Sequence, residues 1–427
     1  MATRRDFIQG TLAGLGGTLA LDGPSAGRAA VAGEPAAPVT GSGGVAADPA
    51  PARTGSDVGS LYPFIHSQAV RGEFPLSYLR NEFRDTLAWK RQARGKLLEL
   101  LHYAPAPCDP DAEVVERVAA DGYVREKVLF NTTPELRIPA YVLIPKGLTK
   151  PAPAIVALHD HGGFYFWGKE KVVEVAGEHP SLTEFKRRSY SGKSIASELA
   201  RRGFVVIAID MYYWGERRMI LDDDPADWRD RPAGIPDERV AAFNRRASQA
   251  EALVGRTIYA AGFTWSGVMF WDDLRTVDYL TKRPEVDPNR IGCVGLSVGG
   301  LRSCHLAALD DRIKAAVVVG WMASYPAQLK DHVVHTIGFT KLVPGLMRYL
   351  DYPDVATLAM PAALLVINGS RDRLFDLEGV RSCFAKLAAC YQKAGIADKV
   401  RTRLYDTPHE FNTAMQEEAW DWIKRWL

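Results

Sequence analysis

The sequence predicts an α/β domain built on a mostly parallel central sheet with helices on both faces, and three observations carry that prediction. Continuous apolar runs at 154–158, 204–209, 290–295, 313–319 and 362–367 read as strands buried on both faces. Segments with apolar residues at helical spacing, at 193–202, 268–283, 379–394 and 413–426, alternate with or follow those runs. The run at 290–295 passes directly into Gly295-Leu296-Ser297-Val298-Gly299-Gly300, a glycine-rich turn that opens another helical segment.

The 427 residues are ordinary globular material, 47% hydrophobic and 24% charged, which is enough apolar content for one large core. Their 53 basic and 51 acidic residues nearly cancel to a formal charge of +2 with no long basic run, so no nucleic-acid or membrane-surface partner is expected. Five cysteines, Cys108, Cys293, Cys304, Cys383 and Cys390, are too few and too irregular for a disulfide framework and read as buried or free thiols.

The chain opens on Thr3-Arg4-Arg5-Asp6-Phe7-Ile8, followed by a modest apolar stretch softened by glycine. Paired arginines ahead of such a stretch resemble a twin-arginine export signal, with small residues near Ala26 to Ala32 to supply a cleavage site. The stretch is too short to span a membrane, which takes about 20 residues. The predicted organisation is a signal at 1–32, an Ala/Pro/Gly-rich tether at 33–58, a helical extension at 59–112 and a catalytic domain at 113–427. Export to the periplasm or the extracellular space is the expectation.

Leu76, Leu79, Phe83, Leu87, Leu97, Leu98 and Leu101 predict one or two amphipathic helices over 76–103, stopped by Pro105 and Pro107. Alternating stretches at 113–119, 123–130 and 138–144 predict an antiparallel lead-in to the sheet, with a turn at Asn131-Thr132-Thr133-Pro134. A short last strand is expected at 400–405. Residues 211–265 and 321–350 lack clean periodicity and follow buried strands, so they predict lid-like insertions over the edge where open α/β sheets bind ligands.

Chemistry enters at Gly295-Leu296-Ser297-Val298-Gly299. Between strand and helix, this pattern puts a serine on a strained turn, and the close glycines leave room for the neighbouring backbone. A serine hydroxyl needs a base to be nucleophilic at neutral pH. On this topology the partners follow in the order Ser, Asp or Glu, then His. His305 falls on the helix after the turn, and His332 and His335 fall in an insertion. His409 follows the last strand, where a base belongs. Asp372, just after the run ending at Ile367, is the expected acid that orients it; Asp376 is its rival and would instead cap the next helix. The oxyanion donors expected are the Val298 amide and one from the loop His159-Asp160-His161-Gly162-Gly163, with His161 or Gly162 as the choice. The acid and histidines of that loop form no metal-ligand spacing, so neither metal nor cofactor is expected.

Four motifs together resemble the dienelactone-hydrolase and acetyl-xylan-esterase-like branch of the α/β-hydrolases. They are Leu158-His159-Asp160-His161-Gly162-Gly163, the stretch from Asp210 to Arg218, the Gly-Leu-Ser-Val-Gly-Gly turn, and Pro408-His409-Glu410-Phe411. The likeness covers about residues 115–427. It implies the α/β-hydrolase fold and a Ser297, His409, Asp372 triad. Dienelactone hydrolases proper use a cysteine where this chain has Ser297, which turns the expectation from lactones to esters. The function expected is therefore serine carboxylic-ester hydrolysis of short, acetyl-like acyl groups on a carbohydrate or aryl alcohol. The aromatic residues of 164–167 and 212–214 and Trp321 are the candidates to shape that pocket. The competing readings are a prolyl-oligopeptidase-like serine peptidase, an acyltransferase, and a non-catalytic binding protein on the same fold. In the expected reading, Arg217 or Glu216 ties the insertion to the sheet.

Overall fold

A computed structural model describes residues 61–427 apart from 226–227, 229–233 and 330. The export signal and tether expected before residue 59 lie outside the described residues.

Nine strands form one sheet: β1 (Glu113–Ala119), β2 (Tyr123–Thr133), β3 (Leu136–Pro145), β4 (Ala152–Leu158), β5 (Val205–Ile209), β6 (Val286–Leu296), β7 (Ile313–Val319), β8 (Ala363–Gly369) and β9 (Val400–Tyr405). Their order is β1-β2-β3-β5-β4-β6-β7-β8-β9. The first three pairings are antiparallel and the rest are parallel. The hairpin between β2 and β3 turns at Pro134 and Glu135, not at 131–134, because Asn131 and Thr133 still pair with Arg137 and Leu136.

Period two along the buried strands feeds two cores. Val156 and Leu158 of β4, Ile207 and Ile209 of β5, and Val318 of β7 point into one. Ile155 and Ala157, Val206 and Ala208, and Val317 and Val319 point into the other. Both faces must be covered, and the sequence alternation supplies the helices that do it.

Among the described residues, the helices of six residues or more are α1 (Tyr62–Gln68), α2 (Thr86–Leu101), α3 (Pro180–Tyr190), α4 (Ile195–Arg201), α5 (Asp237–Ala260), α6 (Trp265–Leu280), α7 (Val298–Leu309), α8 (Tyr352–Thr357), α9 (Leu377–Lys393) and α10 (Thr413–Trp426). The expected helix over 76–103 is shorter. Asp85 accepts the amides of Leu87 and Ala88 at 2.8 and 2.9 Å and so fixes the start of α2 one residue later. Leu76 is buried from a turn before it. α2 is bound to the catalytic domain: Lys90 donates to the Met360 carbonyl at 2.6 Å, and Lys90 and Arg94 both pair with Asp311 just before β7.

The insertion after β5 contains α5, which its polarity had concealed. Val240, Phe243, Ala247, Ala250, Val254 and Ile258 are its buried face, spaced three and four apart. Two alanines in that stripe dilute the apolar signal without weakening the packing.

Candidate active site

The turn from β6 into α7 is strained at one residue. Ser297 has φ 59° and ψ −122°, a conformation costly for any side chain that bears a Cβ. Its amide is held by the Val319 carbonyl at 2.8 Å, and the residue is half-buried. Three glycines make the turn possible. A Cβ on Gly299 would lie 2.0 Å from the Leu158 carbonyl oxygen, one on Gly295 2.4 Å from the Gly299 backbone, and one on Gly300 2.6 Å from the Val319 carbonyl oxygen. The expected Val298 amide heads α7, where the unsatisfied N–H groups of a helix gather.

Asp372 follows β8 and His409 follows β9, neighbouring parallel strands, so both reach the edge of the sheet where Ser297 stands. His409 Nδ1 lies 2.6 Å from Asp372 Oδ2 and donates to it, while Asp372 Oδ1 accepts the Leu374 amide at 3.0 Å. The carboxylate is buried and the imidazole one-quarter exposed. The loop carrying His409 is fixed on both sides: Arg371 N–H bonds the Thr407 carbonyl at 3.1 Å, and Phe411 N–H bonds the Ser189 carbonyl at 2.8 Å. Gly320, the residue after β7, runs beneath the ring, and a Cβ there would sit 3.0 Å from His409 Cε1. The same strand end that anchors Ser297 therefore also supports His409.

The rival residues are accounted for. Asp376 caps α9, accepting the Gly379 amide at 2.7 Å. His305 is buried in α7 and stacks on Phe270 with ring centroids 4.1 Å apart. His332 precedes a helical turn in the second insertion, and the His335 side chain lies outside the described residues.

The loop after β4 is gripped from within. Lys171 donates to the Asp160 and His161 carbonyls at 2.9 and 3.0 Å. A trans peptide points its N–H opposite its C=O, so the amides of His161 and Gly162 face away from Lys171. Gly162 sits at φ +59°, and a Cβ there would meet Asp160 and Phe185 within 2.6 Å. The side chains are committed too. His161 Nδ1 accepts the Gly163 amide at 3.0 Å, so its Nε2–H donates to Glu251 of α5 at 2.7 Å. Tyr165 donates to the same Glu251 oxygen at 2.9 Å. His159 donates from Nδ1 to the Asp160 carbonyl and accepts the Met211 amide at Nε2, which fixes a neutral ring; burial drives its pKa well below the usual histidine value. Burial likewise pulls Lys171 down to about 8, against the Asp160 carboxylate.

Beside the loop, Asp210 is fully buried and collects the Lys169 amide at 2.7 Å, Lys169 Nζ at 2.8 Å and the Glu216 amide at 2.9 Å. Lys169 Nζ also reaches Glu216 at 2.5 Å, and Arg217 pairs with Asp272 of α6 at 2.8 Å. Burial opposes the charge on Lys169, yet the surrounding carboxylates raise its pKa. This network ties the loops after β4 and β5 together and gives Glu216 and Arg217 the tethering place expected of them. Sequence reasoning missed Glu251 and Lys171. Glu251 is 90 residues from His161, and no local spacing marks it.

The aromatic residues proposed for the pocket are mostly interior. Tyr165, Phe166, Trp167, Tyr213, Trp214 and Trp321 are all buried, and only Phe164 and Tyr212 are half-buried. Tyr165 stacks on Trp214 at 4.9 Å, and Trp321 packs edge-on against Tyr352 and Phe375 at 5.7 Å each. They pack on one another and on the insertions in the interior. Among the described residues, no group of three or more His, Cys, Asp or Glu side chains could hold a metal, and no helix is long and apolar enough to cross a membrane.

Residues 188–341 match the model of the dienelactone hydrolase family, and residues 47–224 match that of an Abhydrolase family. The chain is 28% identical over 338 residues to YtaP of Bacillus subtilis (strain 168), a hydrolase by name, covering 79% of this chain and all of that protein. In structure it is similar to a protein from Bacteroides fragilis described as an acetyl xylan esterase, with a TM-score of 0.64 and 19% identity over 83% of this chain and 84% of that one. It is also similar to a glucuronoyl esterase from Solibacter usitatus, with a TM-score of 0.58 and 15% identity over 84% and 99% of the two chains. The likeness to solved structures establishes the α/β-hydrolase fold, and the family matches bear out the resemblance read from the motifs.

Proposed function

We propose that this α/β-hydrolase-fold chain is a serine carboxylic-ester hydrolase that removes short acyl groups, acetyl above all, from a carbohydrate or aryl alcohol. The observation that carries the reading is the 2.6 Å bond from His409 to the buried Asp372, on the same sheet edge as the strained Ser297.

In this reading Ser297 Oγ attacks the ester carbonyl carbon while His409 Nε2 takes its proton. Asp372 holds the ring with Nδ1–H inward and Nε2 outward, and it stabilises the imidazolium that forms. The carbonyl oxygen becomes an oxyanion, to which the Val298 amide and the His161 or Gly162 amide donate. His409 returns the proton to the departing alkoxide and the alcohol leaves, giving an acyl-serine. Water then gives His409 a proton and attacks the acyl carbon, the bond from that carbon to Ser297 Oγ breaks as His409 passes the proton to Oγ, and the carboxylic acid leaves with Ser297 regenerated. The His161 and Gly162 amides, turned away from Lys171, support the oxyanion step, and the likeness to a protein described as an acetyl xylan esterase supports an acetyl group. The names of the hydrolase and esterase relatives support the reaction class.

A panel of p-nitrophenyl esters from acetyl to octanoyl, run beside acetylated sugars, tests the reading. Activity should fall steeply with chain length, and a fluorophosphonate probe should label Ser297. A preference for octanoyl esters rejects the short acyl group, and failure to label Ser297 rejects the nucleophile.

A further inference from the structure

Lys171 ends the short helical turn Lys169–Lys171, which follows the loop after β4, and it is fully buried. Its Nζ meets three oxygens: the Asp160 carbonyl at 2.9 Å, the His161 carbonyl at 3.0 Å and Asp160 Oδ2 at 3.7 Å. An ammonium carries three N–H groups, one for each oxygen, whereas a neutral amine carries two and a lone pair. Asp160 is held in place from its other side, where Oδ1 accepts from the buried Tyr190 hydroxyl at 2.6 Å.

The two carbonyls belong to particular peptides. The Asp160 C=O shares its peptide with the His161 N–H, and the His161 C=O shares its peptide with the Gly162 N–H. Those are the amides expected to donate to the oxyanion. A cation on a carbonyl oxygen draws charge through the peptide and makes its N–H the stronger donor, as bonds in a hydrogen-bonded chain do. His159 also donates to the Asp160 carbonyl at 2.9 Å, and Trp214 and the Phe164 amide donate to the His161 carbonyl at 3.2 Å each. Those donors are uncharged, and Lys171 is the one that can change its charge.

The surroundings bring that change within the ordinary pH range. Asp160 faces Lys171 from the loop, Asp210 from just after β5 and Glu170 from its own turn. Asp210 is already engaged by Lys169 Nζ at 2.8 Å. The rings of His159 and His161, which burial keeps neutral, stand near it. Phe185 of α3, which Arg188 also approaches, has its ring 5.1 Å from Nζ. Burial outweighs the carboxylates and draws the lysine down to about 8.

We infer that Lys171 is a positioning residue whose ammonium form clamps and polarises the two donor peptides, so that ester hydrolysis fails at alkaline pH when Lys171 loses its proton. The inference rests on the ester-hydrolase reading and deepens it, because it names what regulates the same site.

The test reads kcat for phenyl acetate from pH 6 to pH 10, with the uncatalysed rate subtracted. Loss of a proton from His409 raises the rate, so an alkaline fall belongs to another group. The fall should be about tenfold, a part of what losing an oxyanion donor outright costs. Asp160→Asn removes the carboxylate that favours the ammonium and should move the fall about one pH unit lower. Lys171→Met should start about tenfold lower and show no alkaline fall; if it does not fold, Asp160→Asn still decides. In nitrogen-15-labelled wild type, Lys171 Nζ and the His161 and Gly162 amides should titrate together near pH 8. Absence of an alkaline fall, or a fall that stays in place in Asp160→Asn, overturns the inference. If the wild type cleaves no ester, the ester-hydrolase reading falls, and the clamp then stands or falls on whether those amides titrate with Lys171.

Discussion

The His409 ring rests over Gly320 and donates to Asp372 at 2.6 Å, while the Ser297 amide is bonded to Val319, the residue before that glycine. One strand end therefore sets the position of two side chains that are 112 residues apart in the chain (409 − 297). A Cβ at residue 320 would press on the imidazole, so glycine there leaves the ring the room to meet Asp372.

The carboxylate assignment separates two aspartates four residues apart. Asp372→Asn should lower kcat by about 10⁴, because an amide no longer fixes the tautomer with Nε2 as acceptor. Asp376→Asn should leave turnover near the wild-type value, since asparagine also caps helices well. Steady-state kinetics on p-nitrophenyl acetate decides between them, and the reverse pattern would give the role to Asp376.

Glu251 should act as a positioning residue for the oxyanion loop. Burial is the largest influence and raises its pKa, but His161, Tyr165 and Lys341 together outweigh it and leave the carboxyl below its ordinary value. Glu251→Ala frees the His161 ring and should lower kcat by about 10² with little change in KM, comparable to losing one oxyanion donor. Glu251→Gln keeps an acceptor for His161 and Tyr165 and should recover most of that loss. Equal damage from both variants would make the role one of charge.

His305 predicts an acid-sensitive stability. Burial pulls its pKa down to about 4, against a bond to the Leu301 carbonyl, while an unfolded histidine titrates near 6.5. Between those values the unfolded chain binds a proton that the folded chain does not, so stability falls as pH drops from about 6.5 toward 4. This one group should cost about 2 kcal/mol between pH 7 and pH 5, at 1.36 kcal/mol per pH unit below 6.5. Urea unfolding at the two pH values measures it, and His305→Phe should remove that share. His159, also held neutral by burial, adds in the same direction.

Export is proposed from the paired arginines alone. Replacing Arg4 and Arg5 with lysine should retain precursor in the cytoplasm, as fractionation and immunoblotting would show. Unchanged export in the double variant would exclude the twin-arginine route.

The sequence by itself determined the parts that rest on local rules. Period-two and continuous apolar runs marked the strands, because a strand buried on both faces has no other composition available. The glycines around Ser297 marked the turn, because only glycine tolerates the approach of Leu158 and Val319. Asp372 and His409 could be named from their places after β8 and β9, since parallel neighbours end at one edge. Tertiary structure alone decided the rest. It set Glu251 against His161 and gathered Lys171 onto two loop carbonyls. It buried the aromatic residues that composition had offered as a pocket. These contacts join segments whose positions are set by how the insertions pack. Packing depends on shape summed over many side chains, and no short window of residues records it.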